Sequence, residues 1–113
     1  MSKNKRRRSE RATPDLPITA LPFVTASEQG RPYYWSVAPA DAGPRGHIEA
    51  EALGQQYAVQ YMQWLHAYPE LVGMGTLGWI TADIDFHDMQ RTGYWIGFFS
   101  RIERFVFDAG TVN

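Results

Sequence analysis

Over residues 47–68 the apolar positions recur at three- and four-residue steps. Ala50, Leu53, Tyr57, Tyr61, Trp64, Leu65 and Tyr68 fall on one stripe and predict an amphipathic helix. Glu49 and Glu51 lie in its first turns, where the helix dipole favours carboxylates, and Pro69 ends it. A second stripe of Trp95, Phe98, Phe99, Ile102, Phe105 and Val106 is opposed by Gly97, Ser100, Arg101, Arg104 and Asp108. It predicts a C-terminal helix over 94–108, although the same aromatic residues suit strands. Between the two, Ile80, Ala82, Ile84 and Phe86 alternate with Thr81, Asp83 and Asp85, the period of a half-buried strand over 79–86. Upstream, the short runs 21–26 and 31–38 flank the turn formers of 27–30 and read as a β-hairpin, followed by a Pro- and Gly-containing loop over 39–46. The predicted class is α+β: a small antiparallel sheet, made of the hairpin plus one further strand, packed by two amphipathic helices.

Composition narrows the chemistry. The chain has 113 residues, enough for one domain with its own core, and 44% of them are apolar. It contains no cysteine, which excludes disulfide scaffolds, zinc ribbons, thiol redox motifs and cysteine nucleophiles. No apolar run is long enough to span a bilayer, and the basic N-terminus lacks the apolar stretch of a secretory signal, so a soluble, cytoplasmic protein without membrane contact is expected.

Charge is divided along the chain. Lys3, Lys5, Arg6, Arg7, Arg8 and Arg11 stand against Glu10 alone, whereas the rest of the chain has a net charge of −6. With no apolar residue after Met1, this run cannot order itself, and together with Pro14 and Pro17 it makes residues 1–19 a disordered basic arm and lead-in, followed by a single domain over 20–113. Six cations on such a segment suit a weak tether to nucleic acid or simply a solvated tail. From Arg45 to Arg91 no basic residue intervenes while Glu49, Glu51, Glu70, Asp83, Asp85 and Asp88 accumulate, so a duplex-binding face is not expected there.

Three constellations invite a functional reading. Asp83, Asp85 and His87 would share one strand face, with successive carboxylates about 6.5–7 Å apart, and with Asp88 they suit a hard divalent cation in a phosphoester hydrolase. The opposing reading is a solvated acidic edge strand, and the chain has no lysine after Lys5 to steady a phosphoryl group. Gly73, Gly75 and Gly78 spell G-x-G-x-x-G, but after a helix and before a strand pattern they read as a chain reversal rather than a dinucleotide fingerprint. The aromatic residues mostly belong to a core, yet Tyr33 and Tyr34 point to opposite faces of a strand, which makes Tyr33, Tyr34 and Trp35 the candidate partner contact.

The run Gly93-Tyr94-Trp95-Ile96-Gly97-Phe98-Phe99-Ser100, followed by Ile102 and Glu103, resembles the endings of small uncharacterised accessory proteins of bacterial integrative and conjugative elements, over residues 46–108. The resemblance implies a bacterial cytoplasmic accessory protein and carries no activity or catalytic residues with it. Because the body lacks lysine, cysteine and any nucleophile constellation, the favoured function is a non-enzymatic protein-binding or adaptor protein, of a bacterial mobile element as the resemblance implies, without a cofactor. The alternatives are the metal-dependent hydrolase and a nucleic-acid accessory protein held by its arm.

Overall fold

The computed structural model describes residues 18–110. Three helices organise them: α1 (Pro44–Ala67), the short α2 (Thr76–Ala82) and α3 (Thr92–Ala109), with 3₁₀ turns at Pro69–Leu71 and Met89–Arg91. The expected α+β class is not what forms, because the described residues contain no strand and no sheet. Of the hairpin over 21–38 only one antiparallel bridge exists, Thr25 with Tyr33, joined by one further bond from the Ser36 N–H to the Phe23 carbonyl. Pro32 has no N–H to give a ladder, and Phe23 and Val24 are both buried, which the alternating faces of a strand would not permit over a one-sided sheet. The strand over 79–86 is instead α2 and the turns after it. Ile80 and Ile84 are the buried members of that run, and their separation of four satisfies a helical period as well as a strand's.

Small residues bring α1 and α3 together. Gly46, Ala50, Gly54 and Ala58 recur every fourth residue on the buried face of α1, and Gly93 and Gly97 do so on α3. A Cβ added to Gly93 would meet the His47 carbonyl, one on Gly97 the Glu51 carbonyl, and one on Gly54 the Tyr94 carbonyl. Position numbers rise together along both helices, so α1 and α3 run parallel with their backbones in close approach. A parallel pair obliges residues 68–91 to carry the chain back over the length of α1, about 36 Å at 1.5 Å per residue. Gly97, expected on the polar face of its helix, lies in this seam.

The aromatic core fills one side of the pair. Phe98 on α3 packs its ring against Trp35, Phe23 and Tyr61 at centroid distances of 5.2, 5.5 and 6.1 Å. Ile18, Leu21, Val24, Ala58, Trp64, Ile80 and Ile84 complete the cluster. Ile18, placed in the lead-in by the sequence, is thus a core residue. At the start of α1 Pro44 occupies the first turn, and because the helix begins before His47 the two glutamates sit one turn further in. There Glu49 pairs with Arg45 at 3.4 Å and Glu51 with His47 at 2.7 Å.

Candidate binding cavity

The segment 31–37 has no regular secondary structure beyond the Tyr33 bridge, and it is fixed by side chains from elsewhere in the chain. The Tyr34 N–H donates to Asp83 Oδ2 at 2.8 Å, Arg31 Nη2 donates to Asp83 Oδ1 at 2.7 Å, and Arg91 Nε donates to the Val37 carbonyl at 2.8 Å. Asp83 can do this because α2 stops at Ala82 and leaves it at the helix end, within reach of Arg31 and the Tyr34 N–H. Burial pushes the Asp83 carboxyl up, but the hydrogen bonds from Arg31 and the Tyr34 N–H, with the Arg31 charge, outweigh it and hold it below its ordinary range.

A carboxyl lowered in the folded state stabilises the fold above the ordinary carboxylate range and loses that contribution as pH falls through the lowered value. The Asp83→Asn chain is therefore expected to melt below wild type at neutral pH, with the gap closing on acidification below the ordinary carboxylate range. Melting temperatures across that range check this; a gap independent of pH would contradict it.

Above this anchor stands a ladder of side chains. The Arg31 guanidinium lies 5.0 Å from the centroid of the Tyr34 ring, and the Tyr34 ring lies 5.5 Å from that of Trp79. Trp79 and Tyr34 then wall a cavity of about 250 Å³ whose other lining residues are Ile18, Pro32, Trp64, Leu71, Met74 and Thr76. Ile18, Pro32, Trp64 and Thr76 are buried and form its floor, while Met74 is 59% and Trp79 42% exposed at its mouth. Tyr33 and Val72, neighbours in sequence to lining residues, are also exposed. This cavity is built by several separate stretches of chain. The opening along α1 lined by Ile48, Glu51, Ala52, Gln55, Gln56, Val59 and Arg101 involves two helices only.

The floor holds one hydroxyl among the described residues, that of Thr76, which is 5% exposed and lies 2.6 Å from the hydroxyl of Tyr61. Burial pushes the Tyr61 phenol up, against the opposing effect of this bond, so it remains a neutral hydroxyl at physiological pH. Among the described residues no charged side chain lines the cavity. Its chemistry is that of an apolar receptor with a hydroxyl pair at its base.

The three residues proposed from sequence as a partner contact separate here. Tyr33 is exposed, Tyr34 lines the cavity, and Trp35 packs into the core against Phe23 and Phe98. The acidic cluster does not share a strand face, because there is no strand: Asp83 binds Arg31 and the Tyr34 N–H, Asp85 accepts from the His87 N–H, and Asp88 caps the 3₁₀ turn and pairs with Arg91. Among the described residues no group of three or more His, Cys, Asp or Glu side chains is placed to hold a metal ion. Gly73 and Gly75 take positive φ in the reversal before α2. Lys3, Lys5, Arg6, Arg7, Arg8 and Arg11 lie outside the described residues.

Sequence reasoning missed Trp79 and Met74 as cavity residues, having placed Trp79 on a strand and Met74 in a glycine-rich connection. Among the described residues no helix is long and apolar enough to cross a membrane. Comparison with protein-family models, with curated proteins and with solved structures found no match.

Proposed function

We propose that the chain is a non-enzymatic protein-binding domain that receives one apolar side chain of a partner protein in the cavity walled by Tyr34 and Trp79. The observation that carries this reading is the composition of the mouth: a tryptophan, a tyrosine and an arginine packed in sequence beside an apolar cavity. These are the three residue types most enriched among side chains that dominate protein interfaces. The Asp83 hydrogen bonds support it further, since a ladder held before the partner arrives loses less side-chain freedom on binding.

Selection of a displayed random-peptide library on the full chain tests the proposal. Enriched peptides are expected to share one aromatic or branched aliphatic anchor. They should bind Trp79→Ala about thirtyfold more weakly, the equivalent of about 2 kcal/mol, and bind Phe107→Ser, altered on the exposed outer end of α3, as they bind wild type. Peptides that bind Trp79→Ala as tightly as wild type would refute the assignment of the cavity.

A further inference from the structure

We infer that the cavity discriminates in favour of an anchor carrying an oxygen at its inner end, so that tyrosine is preferred to phenylalanine; this rests on the protein-binding reading above. Thr76 and Tyr61 are buried and bonded to each other, and the two hydroxyls together carry two protons. Their mutual bond uses one. Among the described residues the second has no acceptor: the hydroxyls bond only to each other. When Tyr61 is the donor within the pair, the unused proton belongs to Thr76, which lines the cavity floor beside Trp64 and Ile18. A ring entering between Trp79 and Tyr34 fills the apolar walls whether or not it carries a hydroxyl. Only a ring with an oxygen at its inner end gives the Thr76 proton an acceptor, and a bare ring excludes water from a buried donor without replacing it.

When Thr76 is instead the donor within the pair, its oxygen keeps a lone pair at the cavity floor to which an entering phenol can donate, so either arrangement of the pair favours an anchor with a hydroxyl. Arg31 adds nothing to this choice, being committed to Asp83 at the outer side of the ladder. The preference therefore resides in the floor and should be separable from binding as such.

The test uses p-cresol and toluene, the side-chain analogues of tyrosine and phenylalanine, titrated into the full chain and followed by the indole N–H signals of Trp64 and Trp79. Toluene leaves water more readily than p-cresol, so the informative quantity is the ratio of their affinities compared between wild type and a variant. In Thr76→Val the ratio is expected to shift about tenfold towards toluene. Thr76→Val strands the Tyr61 hydroxyl, so the double variant Thr76→Val/Tyr61→Phe, which removes both hydroxyls and orphans neither, gives the same reading if the single variant fails to fold. An unchanged ratio in the double variant, or equal affinities in wild type that persist there, overturns the preference and leaves the protein-binding reading standing. Binding of neither compound to wild type overturns both.

Discussion

Replacing Gly97 by alanine is expected to destabilise the fold by about 3 kcal/mol, because the new methyl has nowhere to go. A Cβ at this position would stand 2.0 Å from the Glu51 carbonyl oxygen and 2.8 Å from its carbonyl carbon. Both are backbone atoms of α1, so relief requires the helices to separate rather than a side chain to rotate. Separation opens the packing of Gly93 on Ala50 as well, which spreads the damage along the seam. Gly54→Ala is the reciprocal change from the other helix, meeting the Tyr94 carbonyl oxygen at 2.0 Å, and should cost a similar amount. Gly78→Ala supplies the contrast. It lies within α2, where its new Cβ would meet nothing within 4 Å beyond its chain neighbours and its own helix backbone, and is expected to stabilise by about 0.5–1 kcal/mol through helix propensity. Urea unfolding of the three variants checks the ordering; a Gly97→Ala chain as stable as Gly78→Ala would remove the close parallel approach of α1 and α3.

Phe98→Ala is expected to cost about 3–5 kcal/mol, a large share of the stability of a domain this size. The side chain is fully buried and packs with the rings of Phe23, Trp35, Tyr61 and Phe99, so truncation leaves a cavity bounded by rigid aromatic groups that cannot collapse into it. Phe107, nine residues further along the same helix, is 73% exposed, and Phe107→Ala should stay within about 0.5 kcal/mol of wild type. The shift should appear in the urea midpoint with little change in slope. A small cost at Phe98 would mean that α3 presents a different face to the core.

The long helices were readable because their stripes persist for several turns: the pattern over 47–68 became α1 and that over 94–108 became α3. The sheet was misread for a physical reason that Ile80 and Ile84 make plain. A separation of four satisfies both periods in a short run, and the flanking glycines, which suggested a chain reversal into a strand, serve instead the turn into a seven-residue helix. The parallel seam had a signal in the sequence, small residues at every fourth position from Gly46 to Ala58 and again at Gly93 and Gly97. Searching only for apolar stripes passes over residues whose contribution is to be small.

The site was readable only in part, because Tyr34 was singled out while its partner Trp79 was not. Nothing local in 76–82 announces that Trp79 will pack against a ring 45 positions earlier; that depends on Asp83 reaching across to Arg31 and the Tyr34 N–H. The same aspartate looked like a metal ligand as long as it sat on a strand. At the end of a helix it becomes the fastening of the cavity wall.

The most direct measurement is a two-dimensional ¹H–¹⁵N spectrum of the four tryptophan indole N–H groups, recorded while a library-selected peptide is added. The four report from different places: Trp64 on the cavity floor, Trp79 at its mouth, Trp35 in the core and Trp95 against Phe86. Binding in the cavity is expected to shift the Trp64 and Trp79 signals together and leave Trp95 in place. A peptide that shifts Trp95 while leaving Trp64 and Trp79 unmoved would contradict the cavity as the site where this chain meets its partner.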